Sequence, residues 1–344
     1  MQIFADYPQL LQWIQDQGLN WTPLGLAPDG SPIGCIKTGG DKGPAVFISA
    51  GSHATEQAGV AAAAALAQSL ESDHPVYIIP SRDPIGMNGF AYALGLSLNS
   101  VPQLDSAAFV EEVLRTQGEI LYDQDDTLLV LIGEYGYATR GLYNRIEKGA
   151  PFLEPLKGRR IFFPATEPGI EGTAFCQRAY TLIVTPEAEI LHINRFHDTS
   201  WAPAEVRCTR QLMAAAQPKL TLDLHEYGAG AGFWFSARHQ PNADDEQWEQ
   251  RLAEAMIGAA VEADTQLAPA EYLPGSFFEK GPQGVFWLIA KERGEGLNLA
   301  DFAASQYGPS FTIETGMKGS FQHRVDTAVL VARTAVATFA QRYI

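Results

Sequence analysis

The stretch Pro44–Leu70 reads PAVFISAGSHATEQAGVAAAAALAQSL and decides the fold class. Its first seven residues, up to Ala50, form a continuous apolar run that is typical of a buried strand. The Ala-rich segment that follows Glu56 has the pattern of a helix, and a tight Gly-Ser exit separates the two. A strand that passes directly into a helix indicates an α/β layer architecture.

The same alternation of apolar runs and helical segments extends along the chain. Continuous apolar strands of this kind suit a sheet that is covered on both faces. We predict strands at Pro44–Ala50, Val76–Pro80, Leu128–Ile132, Leu182–Val184, Leu220–Leu224, Phe233–Phe235 and Ser310–Ile313. We predict helices at Tyr7–Gln17, Gln57–Leu70, Ala107–Thr116, Pro203–Ala216, Asp245–Ala263 and Phe321–Arg342.

The stretch from about residue 96 to residue 186 is the least regular part of the sequence, rich in Gly, Pro and aromatic residues. We expect it to form an insertion packed beside the sheet. The alternative is a lid over a functional site, because loops of this length are often functional.

Composition and charge exclude several classes of protein. The 344 residues are 46% hydrophobic, which is enough for a large core. Against 40 acidic residues there are only 24 Lys and Arg, and the net charge of −16 repels phosphate backbones and anionic lipid. We therefore expect neither a nucleic-acid partner nor a membrane partner.

The cysteines and the N-terminus indicate the cellular setting. Cys35, Cys176 and Cys208 are odd in number and lack C-x-x-C spacing, which argues against a disulfide framework and a thiolate zinc site. We interpret them as small core residues. The N-terminal segment has no basic region followed by an apolar one, and no window approaches the roughly 18 apolar residues of a membrane span. We expect a soluble protein in the reducing cytoplasm.

Charged residues follow three of the predicted strands. His53 and Glu56 come after PAVFISA, His225 follows LTLDL, and Glu314 follows SFTI. Ligands bind at the carboxyl edge of open α/β sheets, so we expect these side chains to meet in one crevice. Burial of an unpaired carboxylate costs free energy, so the position of Glu314 after an apolar strand indicates a function.

The chemistry of this group suits a zinc hydrolase. His53, Glu56 and His225 would give zinc three protein ligands and leave a position for water, whose pKa would fall from 15.7 to about 7. Glu314 would take the proton of that water and pass it to the leaving amine. Zinc and an arginine would stabilise the oxyanion. Taken alone, the His53–Glu56 pair favours a polar cap at a helix start, and the other two strand ends shift the balance towards a metal site.

Five segments, in this order, resemble the zinc carboxypeptidase family of metallopeptidases. They are GSHATE, SRDPIGMNGF, INRF, DLH and FTIETG, and together they span His53 to Glu314, which is most of the chain. The resemblance implies one three-layer α/β/α domain over residues 1–344, with a mixed, mostly parallel sheet of about eight strands. It also implies one Zn²⁺ on His53, Glu56 and His225, with Glu314 as the general base.

The resemblance further implies that Asn194 and Arg195 of INRF bind a terminal carboxylate of the substrate. A guanidinium group binds a carboxylate through two hydrogen bonds, although a surface salt bridge is the alternative. Arg82, in place of the usual asparagine, is expected to face the crevice. The arginine that polarises the carbonyl should lie in the insertion, and Arg140 and Arg178 rank ahead of the other candidates, which are Arg145, Arg159 and Arg160.

Other polar residues near these segments have more than one interpretation. His192 and His197 flank INRF, and we interpret them as loop or core histidines, with substrate contact as the alternative. Asp223 shares a strand face with His225 and is a candidate partner for that imidazole. Tyr307 is a candidate for the mobile tyrosine of digestive members only through its nearness to the catalytic glutamate, and a core role is favoured.

Three functions remain open. The first is a zinc hydrolase that cleaves an amide beside a free carboxylate in a small peptide, as a carboxypeptidase or amidase. The second is an N-acyl-amino-acid deacylase resembling the aspartoacylase and succinylglutamate desuccinylase group. Those proteins usually add a β-rich C-terminal domain, whereas residues 315–344 here have the pattern of one helix. The third is a non-catalytic binding protein, which the presence of all four site residues disfavours.

Overall fold

A computed structural model describes residues 3–143, 145–165, 176–228, 230–289 and 296–343. Its helices are α1 Tyr7–Asp16, α2 Gln57–Ser69, α3 Pro84–Asn88, α4 Phe90–Leu98, α5 Ala107–Gln117, α6 Ala204–Ala216, α7 Ala243–Glu262, α8 Leu299–Gln306 and α9 Phe321–Ala340. Its strands are β1 Trp21–Leu26, β2 Pro32–Gly39, β3 Val46–Ala50, β4 Pro75–Ile79, β5 Glu119–Gln124, β6 Thr127–Ile132, β7 Tyr135–Ala138, β8 Arg160–Pro164, β9 Ala179–Val184, β10 Ile190–His192, β11 Leu220–Tyr227, β12 Phe233–Arg238, β13 Phe278–Lys280, β14 Val285–Leu288 and β15 Ser310–Gly316.

The predicted strands and helices are confirmed, each with ends within about three residues of the prediction, while α3, α4, α8 and several short strands were not predicted.

The described strands form a nine-stranded sheet in the order β1-β2-β4-β3-β11-β15-β12-β14-β13. Parallel pairs join β4 to β3, β3 to β11, β11 to β15 and β12 to β14. The remaining neighbours are antiparallel, and they are as numerous as the parallel pairs. The sheet is mixed, as predicted, but it is not mostly parallel.

Helices cover both faces of this sheet, which confirms the predicted three layers. Leu220, Leu222 and Leu224 point to one face, where they join a core cluster with residues of α1, α2, α7 and α9. On the other face, Phe47 packs with residues of α6 and α8, including Met213. The alternation of side chains along β11 therefore separates the face covered by α1, α2, α7 and α9 from the face that carries Asp223 and His225.

A second sheet lies within the stretch from about residue 96 to residue 186 and extends slightly beyond it. Six described strands form it in the order β10-β9-β8-β7-β6-β5. Residues of α4 and α5 pack with β6 and β8 in one core cluster, and Pro151–Leu156 covers the opposite face. The insertion is thus more regular than the sequence predicted. Residues 144 and 166–175 of this stretch lie outside the described residues.

Two sequence expectations are settled at the level of the fold. The cysteines Cys35, Cys176 and Cys208 are free and buried, as predicted. None of the helices in the described ranges combines the length and the apolarity needed to cross a bilayer.

Candidate metal centre

Two histidines and a glutamate meet at the carboxyl ends of β3 and β11. His53 lies in the turn after β3, Glu56 immediately precedes α2, and His225 lies near the end of β11. The Nδ1 atom of His53 is 2.5 Å from Glu56 Oε1, and His225 Nδ1 is 2.8 Å from Glu56 Oε2. One potential ligand atom from each residue lies within 4.8 Å of the others. The structure therefore brings the three predicted ligands together.

The strand register explains why residues so distant in sequence meet. Strands β3 and β11 are parallel neighbours, with Ala50 opposite Leu224, so both strands end at the same edge of the sheet. Gly51 then turns the chain with a φ of 62°, a backbone conformation that favours glycine. A Cβ atom on Gly51 would also lie 2.9 Å from the Cα of Ser81, closer than side chains normally approach.

The charges of the three residues favour a bound cation. Burial raises the pKa of Glu56, but the charges of His53 and His225 outweigh it and lower the pKa to about 2. Burial lowers the pKa of His225, yet the carboxylates of Asp223 and Glu56 raise it well above the ordinary value. Two buried carboxylates thus hold a positive charge between them. A divalent metal ion would supply this positive charge in place of the proton of His225, with neutral imidazole nitrogens and the Glu56 carboxylate as its donors.

A buried polar network supports His225 from the side away from Glu56. The Nε2 atom of His225 is 2.8 Å from Asp223 Oδ2. Arg82 Nη2 donates to both carboxylate oxygens of Asp223, at 3.2 and 3.1 Å, and Arg82 Nη1 is 3.0 Å from His197 Nε2. Asn194 donates to Asp223 Oδ2 at 3.1 Å and accepts from Arg82 at 2.9 Å. Asp223 is therefore the partner of the imidazole that the strand pattern suggested.

His53 has a different partner on its outer side. Its Nε2 atom is 3.0 Å from Nδ1 of His192, and the ring centroids are 4.7 Å apart. His192 ends strand β10 of the second sheet, and the ring of Tyr143 packs against it with a centroid distance of 4.9 Å. Burial, together with the positive charges of His53 and Arg195, lowers the pKa of His192 well below its ordinary value. The second sheet thus supplies a neutral imidazole to the site.

Glu314 lies beside the candidate ligands on the next strand. In the parallel pair of β11 and β15 it is opposite His225, and in the antiparallel pair of β15 and β12 it is opposite Trp234. Its Oε2 atom is shielded from solvent and has no hydrogen-bond partner among the described residues. Burial raises the pKa of Glu314 to about 8, with the charge of His225 opposing the shift and that of Glu56 adding to it. A carboxyl of this kind can exchange a proton near neutral pH.

Comparisons with known proteins bear on the fold. Neither models of protein families nor curated protein sequences match the chain. A metallo-carboxypeptidase from Pseudomonas aeruginosa, solved in complex with (2-guanidinoethylmercapto)succinic acid, superimposes with a TM-score of 0.54 at 12% identity over 98% of this chain and 71% of that one. A metallo-carboxypeptidase from Burkholderia cenocepacia gives a TM-score of 0.54 at 11% identity, covering 99% and 71%. This chain has a zinc carboxypeptidase-like fold.

Within the zinc carboxypeptidase-like fold, the predicted substrate residues are placed differently from one another. Arg195 is partly exposed in the short helical turn after β10, and its positive charge lowers the pKa values of His192 and His197. Arg195 is therefore near His192 and His197, and His192 contacts the candidate ligand His53. Asn194 is only 3% exposed and is a member of the network around Asp223.

The expectation that Arg82 faces the crevice is wrong. Its side chain is fully buried and paired with Asp223, because the residue lies at the turn between β4 and α3, beneath the candidate ligands. Arg82 neutralises a buried carboxylate and is unavailable to a substrate. His197, which accepts a hydrogen bond from Arg82, is fully buried, as expected of a core histidine.

The two arginines ranked first in the insertion do not reach the candidate ligands. Arg140 is exposed and lines a surface groove beside α5 and the β5–β6 turn, together with Glu111 and Asp123. Arg178 is fully buried and donates to the carbonyl oxygens of Phe4, Ala5, Met87 and Gln177, and to Gln57 Oε1. It fixes the N-terminal segment against α3. Arg145 and Arg159 are exposed, and Arg160 pairs with Glu205 at 2.8 Å.

Two further groups lie near the site. Glu226 directly follows His225 in the sequence, which makes it a candidate to orient ligands or line the cleft, whereas Tyr272 has no role predicted from the sequence. Glu226 accepts a hydrogen bond from the backbone of Ala58 at 2.8 Å and pairs with Arg324, joining the end of β11 to α2 and α9. Tyr272 packs against Trp234, the cross-strand neighbour of Glu314, with a ring-centroid distance of 5.9 Å. The candidate tyrosine of the sequence, Tyr307, instead lies before β15 begins, at the opposite edge of the sheet.

Proposed function

We propose that this protein is a zinc-dependent hydrolase that cleaves an amide bond beside a free carboxylate, in the manner of a metallocarboxypeptidase. The convergence of His53, Glu56 and His225 beside the Glu314 carboxyl carries the proposal. Two imidazoles and one carboxylate suit zinc, and three protein ligands leave a position for water or substrate. The similarity of the fold to metallo-carboxypeptidases supports the same reaction class.

The residues divide the chemistry between them. A zinc ion held by His53, Glu56 and His225 would supply Lewis acidity and lower the pKa of a coordinated water. Glu314 accepts the proton of the attacking water and donates it to the nitrogen of the leaving amine. Both steps are accessible because burial places the pKa of Glu314 at about 8, within reach of neutral pH.

Arg195 supplies the group that selects a free carboxylate. A chain with a net charge of −16 repels an anionic substrate at long range, so recognition requires a local positive charge. Arg195 follows Asn194 directly and its charge acts on His192, which contacts His53, and its guanidinium can bind a carboxylate through two parallel hydrogen bonds. Asn194 has a positioning role here, since it holds Asp223 against His225.

The substitution Glu314→Gln tests the catalytic step. It removes the proton acceptor and leaves the three candidate ligands in place, so we expect hydrolysis of a C-terminally free dipeptide to fall by about 10²–10⁴-fold. Zinc content, measured by elemental analysis, should stay at one ion per chain. The control is Glu71→Gln, which makes the same change at an exposed residue and should leave both quantities unchanged.

Two results would contradict this function: native protein that binds no zinc, or a Glu314→Gln variant with normal turnover. The substrate class is tested with paired substrates that differ only in a free or amidated C-terminus, together with a series of N-acyl amino acids. A preference for the free carboxylate supports a carboxypeptidase. Turnover of the N-acyl amino acids alone would identify a deacylase, and zinc binding without any turnover would identify a binding protein.

A further inference from the structure

The two candidate metal-ligating histidines are supported unequally. His225 is 3% exposed in its side chain, and its Nε2 atom lies in the network of Asp223 and Asn194. His53 is 21% exposed and lies in a turn instead of a strand. Within the described part of the chain, the partner of its Nε2 atom is Nδ1 of His192, at 3.0 Å. The orientation of His53 therefore depends on a residue from the other sheet.

The contact allows one arrangement of protons when His53 binds a metal through Nδ1. An imidazole that coordinates through Nδ1 keeps its proton on Nε2, so Nε2 is the donor. The facing Nδ1 atom of His192 must then accept, and the proton of His192 must lie on Nε2. We propose that His192 is a positioning residue, which accepts the Nε2 hydrogen bond of His53 and holds Nδ1 of that ring towards the metal. This inference rests on the metal centre of the proposed function.

The surroundings of His192 make it a firm acceptor. It is the last residue of β10 and is paired with Leu182 in the antiparallel register of β10 and β9. The edge of the Tyr143 ring contacts it on the second sheet. The chain then enters the turn that carries Asn194, which is bonded to Asp223 below His225. One short segment, residues 192–194, thus supports both ligating histidines.

The partners of the two histidines differ in charge. Asp223 is a carboxylate, and a hydrogen bond to a charged acceptor is roughly twice as strong as one between neutral groups. His192 offers a neutral nitrogen, so His53 is held less firmly than His225. Metal affinity should consequently respond to any change that removes the acceptor at position 192. Loss of a hydrogen-bonding partner of this kind typically weakens metal binding by about 10–100-fold.

Two substitutions separate the hydrogen bond from the packing of the ring. His192→Phe keeps an aromatic ring against Tyr143 and removes the acceptor. His192→Asn places a carbonyl oxygen near the position of Nδ1 and so keeps the acceptor. A matched control is His239→Phe, because His239 follows β12 at the opposite edge of the sheet and stacks on Trp287 at 4.7 Å.

The measurement is the Kd for Zn²⁺ of the full chain, obtained by competition with a chromophoric chelator. We expect His192→Phe to raise it about 10–100-fold and His192→Asn to restore it to within a few-fold of the original protein. His239→Phe should leave it unchanged. The Co²⁺-substituted His192→Phe protein should also show an altered visible absorption spectrum. Circular dichroism of each metal-free variant identifies any that fails to fold, in which case His192→Leu, which also lacks an acceptor, replaces His192→Phe.

Several outcomes would overturn the proposal. A folded His192→Phe variant with unchanged zinc affinity and Co²⁺ spectrum excludes a positioning role. Equal losses in the Phe and Asn variants would assign the effect to the ring itself, not to its acceptor. Wild-type protein that binds zinc but hydrolyses nothing would refute the proposed function, while the pattern of variant affinities would still decide the role of His192. Absence of zinc binding in the wild type would overturn both.

Discussion

Asp223 is a fully buried carboxylate that serves three partners, Arg82, Asn194 and His225. Its charge balances the equally buried guanidinium of Arg82, whose side chain is 0% exposed. Removal of one member of a buried ion pair leaves the other charge uncompensated, which is more damaging than the loss of a surface contact. The residue therefore couples the stability of the fold to the orientation of a candidate metal ligand.

We expect Asp223→Asn to lower the free energy of unfolding by about 3–5 kcal/mol, because Arg82 keeps its charge and loses the compensating carboxylate. Zinc affinity should fall as well, since the asparagine no longer provides a charged acceptor for His225. Urea unfolding of the metal-free protein measures the first effect without interference from the second. An unfolding free energy equal to that of the wild type would contradict the account of this network.

A suitable control for this substitution is Asp73→Asn. Asp73 pairs with Lys42 at 3.3 Å, and their side chains are 77% and 81% exposed. Exposed ion pairs contribute about 0–1 kcal/mol, so this change should have little effect on urea unfolding. A similar loss in both variants would show that the amide substitution itself, and not burial of the charge, causes the effect.

At the residue scale, the candidate ligands could be predicted because each follows an apolar strand directly. His53, His225 and Glu314 needed only the strand ends and the rule that carboxyl edges bind ligands. The contact of His192 with His53 could not be predicted, because it depends on how the second sheet packs. The roles predicted for the arginines of the insertion were wrong for a similar reason. Sequence spacing does not reveal whether a long side chain such as that of Arg178 is buried.

At the element scale, the end of β11 is bonded to α2 and α9, the two helices that pack on the leucine face of this strand. Glu226 accepts from the first turn of α2 through the backbone of Ala58 and pairs with Arg324 of α9. Burial raises the pKa of Glu226 to about 7, with Arg324 acting in the opposite direction. This clamp holds the strand that carries His225 against the helix that follows Glu56. The geometry of the candidate ligands thus depends on packing between elements.

We expect Arg324→Met to lower the free energy of unfolding by about 1–3 kcal/mol, because the buried carboxyl of Glu226 loses its hydrogen-bonded cation. The control is Arg333→Met on the same helix, where the exposed guanidinium bonds Ser69. The Arg333→Met variant should lose about 1 kcal/mol or less of its free energy of unfolding. Denaturant unfolding of both variants decides the matter. If the two variants are equally stable, Glu226 compensates for the lost guanidinium by taking up a proton, and the contact with Arg324 contributes little to stability.

Elements with strong patterns could be predicted, whereas those with weak patterns could not. Strand β11 alternates Leu220, Leu222 and Leu224 with residues of the site face, and its register with β3 and β15 follows that pattern. Strand β5, with the sequence EILYDQ, has no buried residue and so carries no comparable signal. The short helix α8 was missed because eight residues give too few turns for a clear period.

At the scale of the whole molecule, the candidate site joins distant parts of an acidic chain. The chain has a net charge of −16, and three of its acidic residues, Glu56, Asp223 and Glu314, are close enough to act on one another at the site. Repulsion among these groups opposes compaction, while a divalent cation at the ligands would offset it. The mixed sheet makes the convergence possible, since β3, β11 and β15 are adjacent and parallel. Metal binding should therefore stabilise the whole fold.

We expect zinc to raise the thermal midpoint of the metal-free protein by a few degrees. A ligand that binds only the folded state adds about 2.7 kcal/mol of stability at a free concentration of 100 times its Kd. The effect should be reversed by a chelator and absent in Glu56→Gln, which removes the carboxylate placed between His53 and His225. Differential scanning calorimetry with and without Zn²⁺ measures it. Equal midpoints for the wild type in both conditions, or an equal increase in Glu56→Gln, would show that this crevice is not the metal centre.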